Sequence, residues 1–458
     1  MGLNLAMGQK RERESEILED FALRPVPPDK RKPWLDIAMV WIGVAIVLSA
    51  LLRGMMVGMG LGDLKSVVLA YLLGEGLLIG MMTLTGLMGA RTGLTTALLA
   101  RNAFGERGSL LISFCLGVAF MGWFGVQAGL FAETVVAVAR AALPVSWLAF
   151  LSGVVMMVPA VFGFRGLKAL SYGAVPPMLA IFLYASFKTG WSFLPAGELV
   201  RLAKSHVPSP YPVTLGAAAS IIAGGFIVGA VTSADIFRYA RPRFGDILMA
   251  ATISMAVSAL LQLVGSSLAM TTGLYHENLP RLIISREFVG LGWVGFLAIA
   301  FAQWTTNDSN LYSSVLAFNT IIGWTRWKLA IAVGIVSSML AAWGILARLG
   351  LFLSLLSIAV GPIGGIIVAD YYLSGSGARA TMETPSRRRR YFNPVALAAY
   401  GIAVTVGWLT SGHPLTIRVF PFSIFAFNGI LAALLLYWAG MRMICRKDKE
   451  PDGRIKVP

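Results

Sequence analysis

Apolar residues in this chain are gathered into long runs separated by short polar segments. A helix that crosses a bilayer needs about 20 such residues in succession, and a window of about 19 residues predicts twelve spans. The stretch 90–109 differs, because its apolar residues recur at helical spacing among arginines, and it predicts a short helix on the inner membrane surface. The twelve spans lie at residues 35–58, 64–88, 109–138, 144–164, 167–187, 213–237, 246–271, 289–316, 326–347, 349–372, 392–410 and 420–441.

The composition leads to the same fold class, an all-α integral membrane protein. Apolar residues make up 57% of the 458 positions and charged residues 13%, against about 25% charged residues in soluble domains. These values exclude a soluble enzyme and a large aqueous domain. The two cysteines, Cys115 and Cys445, lie far apart in unlike surroundings, so neither a disulfide framework nor a metal site follows from them.

The charge of the chain indicates how it lies in the membrane. The formal net charge is +16, and most of the Lys and Arg fall in segments on the same side as the two termini, including the run 387–390. The positive-inside rule therefore places both termini in the cytoplasm, in a multi-pass protein of the cell inner membrane. Basic clusters beside membrane helices ordinarily meet anionic lipid, so membrane lipids are predicted as partners and nucleic acid is not.

Two spans carry glycine or polar residues at their centres. The sixth reads SIIAGGFIVGAVTSADIFRYAR, with Gly224 and Gly225 adjacent, and the eighth reads AFAQWTTNDSNLYSS. Each unsatisfied polar group in hydrocarbon costs several kcal/mol, so the polar cluster must face protein, water or a ligand. A glycine pair allows a helix to unwind, as the broken helices of transporters do, whereas close helix packing is the other explanation. Gly43 in the first span is a weaker sign of the same kind.

Two groups of side chains suggest ligands. Thr305 and Thr306 lie on one helical turn with the carbonyl of Ala302, so three oxygens can converge on a small hard cation, although back-bonding of both hydroxyls to that turn is the alternative. Trp123, one turn before Gln127, offers an aromatic face beside an amide. This arrangement suits a flat, hydrogen-bonding ring, and core packing is the other interpretation of the tryptophan.

Five motifs carry a family resemblance. The segments GARTGLTTALLARNAFG, GWFGV, TSADIFRYAR, WTTND and GPIGGIIVADYYL together resemble the cytosine permease branch of the nucleobase cation symporter-1 family, from about Val40 to Tyr372 and more weakly beyond. The resemblance implies two five-helix repeats of inverted topology, with discontinuous first and sixth helices, and alternating access driven by sodium. The chain is then divided into a cytoplasmic tail (1–33), a transport core of ten helices (34–372), a basic cytoplasmic loop (373–391), two additional helices (392–441) and a second cytoplasmic tail (442–458).

The resemblance also implies the ligand sites. No cofactor is expected. Sodium, the coupling ion, would be held by the main-chain oxygens of Gly43, Ile46 and Ala302 and the side-chain oxygens of Thr305 and Thr306. A nucleobase or related planar heterocycle would lie between Trp123 and Phe226, near backbone groups of Gly225, with a polar edge from Asn307 or Asn310.

The chain departs from cytosine permeases at two positions of that site. Where they have a Gln three residues before the Trp and a Ser two after the Phe, this chain has Phe120 and Val228. Gln127 resembles instead the hydantoin-type members. Because a site rejects a ligand that lacks the groups it was built for, cytosine is doubtful, and purines, other pyrimidines including hydroxymethylpyrimidine, hydantoin and allantoin remain open.

Other mechanisms stay open at this level. Glu75, in the second span, could carry a coupling proton in place of sodium or cap a substrate amine, and a neutral, internally bonded carboxyl is the other interpretation. Asp235 with Arg238 could form an inner gate. A passive channel is a further alternative. An enzyme is disfavoured, because the three histidines, His206, His276 and His413, fall outside the predicted spans. The oligomeric state is not predicted.

Overall fold

The computed structural model describes residues 25–139, 143–161, 212–273, 292–374, 391–411 and 423–447, with the single residues 180 and 184. The predicted fifth span falls almost entirely outside these residues, as do the three histidines and the basic run 387–390. The described chain is helical: α1 (Trp34–Ala45), α2 (Leu48–Leu61), α3 (Leu64–Thr92), α4 (Thr96–Phe104), α5 (Gly108–Ala139), α6 (Val145–Val161), α7 (Leu215–Gly224), α8 (Ile227–Val231), α9 (Ala234–Phe237), α10 (Phe244–Thr272), α11 (Gly292–Ile322), α12 (Arg326–Ala342), α13 (Leu349–Ala359), α14 (Gly361–Val368), α15 (Pro394–Leu409) and α16 (Phe425–Lys447).

Several of these helices have the length and apolar character of membrane spans. Among the described residues, five segments meet both conditions: Leu64–Thr92, Gly108–Val136, Phe244–Met270, Leu346–Leu373 and Phe425–Ile444. Two further segments meet them as bent pairs, α1 with α2 at 63° and α11 with α12 at 115°. The short helix α4 lies where the sequence predicts one, between the second and third spans.

Polar side chains mark several helix starts, as the physics of helix ends requires. The first amides of a helix have no partner within it, and an oxygen at the N-cap satisfies one of them. Asp63 caps α3 through the amide of Ser66 at 2.8 Å, and Asn393 caps α15 through the amide of Val395 at 3.2 Å. Gly62, with φ of 71°, makes the tight turn between α2 and α3.

Close backbone contact joins α2 to α10. A Cβ on Gly54 would overlap the main chain of Gln262, one on Gly58 the main chain of Ser266, and one on Gly265 the main chain of Leu51. Small residues allow membrane helices to approach in this way, with van der Waals packing as the main attraction. The second half of the first predicted span is thus firmly packed against the seventh.

Candidate functional site

The chain leaves the helical conformation between α1 and α2. Ile46 and Val47 have φ and ψ of −80° and 84°, and of −135° and 150°. The amide of Val47 donates to Ala45 O at 3.1 Å, and the amide of Ala50 donates to Val47 O at 3.0 Å. In an uninterrupted helix these amides would donate to Gly43 O and Ile46 O. The break therefore withdraws the helical donors from the two carbonyls that the family resemblance assigns to sodium.

The sixth predicted span is interrupted at Phe226, between α7 and α8. Phe226 has φ of −138° and ψ of 3°, and its amide donates to Ala223 O at 3.0 Å. Gly225, by contrast, has ordinary right-handed helical dihedrals of −63° and −21°. The residue that departs from the helix is thus the phenylalanine and not the glycine before it.

Gly224 and Gly225 are required because atoms of neighbouring helices approach their backbone closely. A Cβ on Gly224 would overlap the carbonyl of Leu353, and one on Gly225 would overlap the side chain of Arg53. Arg53 Nη1 donates to Gly225 O at 3.2 Å. Of the two explanations that the sequence left open, unwinding and close helix packing, the second applies to the pair itself, because the missing side chains make room for neighbouring atoms.

Three oxygens meet on α11. Thr305 Oγ1 donates to Ala302 O at 3.0 Å, and Thr306 Oγ1 donates to the same carbonyl at 2.9 Å. Ala302 belongs to the same buried core as Ile46 of the first break. Carbonyl and hydroxyl oxygens are ligands that hard cations prefer, and a hydroxyl can turn its proton away and present a lone pair. The cluster can therefore bind a cation, or bond back to the preceding turn as it does here.

Two aromatic rings lie near the sixth-span break: Phe226 at the break itself and Trp123 on α5. Trp123 on α5 packs edge-on against Phe352, with ring centroids 5.5 Å apart, and Phe226 packs edge-on against Trp41 at 5.7 Å. Trp123 and Phe226 share one buried core and keep 8% and 9% of their surface accessible, whereas Phe124 beside the tryptophan keeps none. The helix that follows the break, α8, touches α5.

The remaining predicted substrate residues fall into two groups. Gln127 is 1% exposed and its Oε1 is buried without a hydrogen-bond partner, which leaves an acceptor for a ligand. Val228 is buried and Phe120 is half-buried, and neither offers a polar atom.

The two asparagines of the eighth span differ in their contacts. Asn307 Nδ2 donates to Phe124 O at 3.2 Å and contacts Met156 Sδ, so this nitrogen joins α11 to α5 and α6. The Oδ1 atom of Asn307 and the Nδ2 atom of Asn310 are buried without a hydrogen-bond partner. One asparagine thus has a structural contact in addition to any role toward a ligand.

Asp235 and Arg238, the two residues of the predicted inner gate, both make hydrogen bonds that involve the main chain. Asp235 Oδ1 accepts the amide of Thr96, the first residue of α4, at 2.7 Å, and Arg238 Nε donates to the main-chain oxygen of Asp235 at 2.9 Å. A carboxylate at a helix N-terminus is favoured by the unpaired amides and the helix dipole. The carboxylate therefore anchors α4 to the end of the sixth span.

The structure also brings forward residues to which the sequence interpretation gave no joint role. Arg53, Glu75 and Gln262, on α2, α3 and α10, form a buried polar cluster beside Gly225. The available signal was an arginine and a glutamate, each inside an apolar run, which are functional candidates by default.

Comparisons with known proteins identify the family to which the chain belongs. Residues 25–441 match the family model described as a permease for cytosine/purines, uracil, thiamine, allantoin. The chain is 33% identical to the cytosine permease of Escherichia coli over 393 residues, covering 85% of this chain and 89% of the relative. It is 25% identical to the hydantoin permease of Microbacterium maritypicum over 470 residues, covering 93% and 88%.

Solved structures share the fold at lower identity. A nucleobase-cation-symport-1 family transporter, in a closed conformation with bromovinylhydantoin bound, superposes with a TM-score of 0.73 at 22% identity, covering 92% of this chain and 95% of the other. A Na⁺-coupled sialic acid symporter gives a TM-score of 0.60 at 13% identity, covering 90% of each chain. The chain therefore belongs to the family of permeases for cytosine, purines, uracil, thiamine and allantoin, as a multi-pass membrane protein and a secondary transporter of the nucleobase and hydantoin type rather than an enzyme.

Proposed function

We propose that this protein imports a nucleobase-like planar heterocycle, with sodium as the coupling ion, by alternating access across the cell inner membrane. Twelve membrane helices with both termini in the cytoplasm would enclose the site, and the first ten would form two inverted repeats. Spans one and six would be the discontinuous ones.

The observation that carries the sodium assignment is the loss of helical donors at Gly43 O and Ile46 O. Both carbonyls lack the amide that a continuous helix would supply, and Ala302 O, Thr305 Oγ1 and Thr306 Oγ1 form a second oxygen cluster in α11. Together these five oxygens supply a number of ligands that a hard cation accepts.

The substrate proposal rests on the two aromatic rings and the amide. Trp123 and Phe226 are the stacking surfaces, and Gln127 Oε1 accepts a hydrogen bond from an N–H on the ring edge. Because Phe120 and Val228 provide no donor or acceptor, the polar edge of the substrate would be satisfied by Gln127, by Asn307 or Asn310 and by the backbone near Gly225. This distribution favours a hydantoin-like ureide, purine or uracil-type imide over cytosine.

Coupling to a proton through Glu75 is the second candidate. Glu75 is 5% exposed and its Oε2 has no hydrogen-bond partner, as a proton-accepting oxygen would require. This mechanism predicts uptake that persists without sodium and collapses in Glu75→Gln.

Uptake by the purified protein in proteoliposomes tests both candidates. Labelled cytosine, uracil, adenine, hypoxanthine, hydantoin, allantoin and hydroxymethylpyrimidine are offered with an inward sodium gradient, with choline in place of sodium, and with an inward proton gradient alone. Accumulation of at least one compound above its external concentration with sodium, and not with choline, is expected. Equilibration without accumulation under every gradient would indicate a passive channel and contradict the proposal.

A further inference from the structure

A buried arginine lies against the interruption of the sixth span. Arg53 on α2 exposes 2% of its surface, and its Nη1 donates to Gly225 O at 3.2 Å. Its Nε is buried without a hydrogen-bond partner. Because a guanidinium keeps its proton under physiological conditions, a full positive charge is held beside the backbone of Gly225.

Glu75 on α3 supplies the neighbouring negative charge. Glu75 is 5% exposed and is linked to the Arg53 segment through Gln262, whose main chain packs against Gly54, the residue after the arginine. Its Oε1 accepts from Gln262 Nε2 at 2.6 Å. A single charge in hydrocarbon is costly unless it is compensated, so Arg53 and Glu75 are far more stable together than either is alone.

Further hydrogen bonds attach this pair to the helices behind the break. Tyr71 Oη donates to Gln262 O at 3.0 Å and lies 2.5 Å from Ser266 Oγ, which donates to Gly54 O at 2.6 Å. These contacts join α2, α3 and α10 into one unit. Arg53, which donates to Gly225 O, therefore projects from a helix that is held to α3 and α10.

We propose that Arg53 and Glu75 are a positioning pair, which holds the Gly225 carbonyl in the orientation that the transporter uses to recognise its substrate. The inference rests on the proposed function, because it deepens the role of the site at Gly225. Arg53 acts through the backbone and does not itself touch the substrate. Glu75 is the permanent counter-ion of Arg53 and carries no coupling proton.

The electronic structure of the carbonyl explains how such a pair would act. A carbonyl oxygen has two lone pairs, and Arg53 occupies one of them with a charged donor, which binds more strongly than a neutral one. The peptide plane is then restrained, and the second lone pair points in a defined direction. Protonation of Glu75 would remove the counter-ion of Arg53, so the same arrangement disfavours a proton cycle at this carboxylate.

Three variants and one matched control test the pairing by the yield of folded protein. Arg53→Met and Glu75→Gln each leave one buried charge uncompensated, so each is expected to lower the yield of monodisperse purified protein about tenfold or more. The double variant, which removes both charges, is expected to recover to within about twofold of the parent. Tyr71→Phe breaks the same network without touching either charge or Gly225.

Kinetics then separate positioning from simple stability. For the compound of the seven-member panel that the parent accumulates most, the double variant is expected to raise KM about tenfold while Vmax stays within about twofold, since a charge-assisted hydrogen bond is lost. It should still accumulate that compound with sodium. Arg53→Lys, which keeps the charge and one donor, is expected to fold and to give an intermediate KM, and Tyr71→Phe the parental KM.

Amide hydrogen exchange gives a readout that needs no substrate. In the double variant, residues 221–231 are expected to exchange faster than in the parent, whereas residues 396–409 of α15 should be unchanged.

Four results would overturn the proposal. A double variant with parental KM and parental exchange at 221–231 would show that the pair is structural only. A double variant that folds and binds but no longer accumulates the compound would assign the coupling proton to Glu75. Single variants that fold as well as the parent, or a double variant no better folded than the singles, would show that the two charges do not compensate each other. If the parent accumulates none of the seven compounds, the proposed function fails, and folding yield and hydrogen exchange still test the pair.

Discussion

Replacement of the two adjacent threonines of α11 by alanine, Thr305→Ala with Thr306→Ala, isolates the ion site from the substrate site. Both hydroxyls converge on one carbonyl, Ala302 O, at 3.0 and 2.9 Å. The double change removes two of the five oxygens proposed to hold sodium. It leaves Gly43, Ile46 and the aromatic rings untouched.

The expected loss of folding stability and the expected loss of sodium affinity differ enough to be measured separately. Each hydroxyl contributes about 0.5 to 1.5 kcal/mol to folding as a neutral hydrogen bond, so the double variant loses about 1 to 3 kcal/mol of stability. Toward a cation, each oxygen contributes about 1.5 to 3 kcal/mol by analogy with hydrogen bonds to charged groups. The half-saturating sodium concentration should therefore rise by at least about tenfold for each hydroxyl removed.

The assay is initial-rate uptake into proteoliposomes as a function of external sodium. Thr305→Ser with Thr306→Ser retains both hydroxyls and is expected to keep a half-saturating sodium concentration close to that of the parent. Thr134→Ala is the matched control for stability, because Thr134 Oγ1 donates to Leu130 O at 2.6 Å in the same back-bonded manner but lies on α5, away from both breaks.

One result would refute the assignment of sodium to these two hydroxyls. A double alanine variant that folds and shows the sodium dependence of the parent would mean that the hydroxyls only bond back to their own helix. The ion would then have to be placed elsewhere.

Three further predictions concern the substrate site and the contact between Asp235 and Thr96. Trp123→Ala should raise KM for every transported compound about ten- to hundredfold, because base stacking on an aromatic ring contributes about 1 to 3 kcal/mol. Trp123→Phe keeps an aromatic ring and should raise KM much less. Uptake kinetics measure both values, and an unchanged KM in the alanine variant would remove the tryptophan from the site. Gln127→Ala should change which panel compound competes best for uptake, since it removes the unpartnered acceptor; equal weakening of all compounds would contradict that role. Asp235→Ala should destabilise the protein by about 0.5 to 2 kcal/mol through loss of a helix cap, and the thermal unfolding midpoint of the purified protein should fall. The midpoint of Asp235→Asn should lie between those of the parent and the alanine variant. An unchanged midpoint would show that the contact with Thr96 contributes nothing to stability.

Hydropathy located most of the helices because a bilayer imposes length and apolar character on them. The segment predicted at 64–88 is a helix over Leu64–Thr92, and that predicted at 246–271 is one over Phe244–Thr272. Helix ends were less accurate where the chain continues past the apolar run. The helix predicted to end at 316 extends to Ile322, because residues 317–322 (AFNTII) remain compatible with a helix, and it ends at Gly323, which has a φ of 67°.

The interruption of the first span illustrates what hydropathy cannot locate. It lies at Ile46 and Val47, within an unbroken apolar run that contains neither glycine nor proline at the break itself. The extended backbone there is imposed by tertiary contacts, since isoleucine and valine accept either conformation. The sequence pattern offered only Gly43 as a hint, three residues too early.

The polar cluster of Arg53, Glu75 and Gln262 shows a second limit. Each residue stands alone in its own apolar run, and pairing between α2, α3 and α10 depends on how the helices pack. The family resemblance gave these three residues no joint role, although it did predict ligand residues that composition and spacing left open. Local sequence patterns thus predicted the helices, whereas the contacts between side chains on different helices were visible only in the folded structure.

Sodium and substrate are proposed to stabilise each other's binding at the two interrupted helices, and equilibrium binding to the purified protein measures this coupling. The affinity of the best-accumulated compound is measured by isothermal titration calorimetry in sodium and in choline at equal ionic strength. The affinity for sodium is then measured with and without that compound. Sodium is expected to tighten substrate binding by about 5- to 150-fold, and substrate is expected to tighten sodium binding by the same factor, as linkage requires. Equal substrate affinity in sodium and in choline would contradict it.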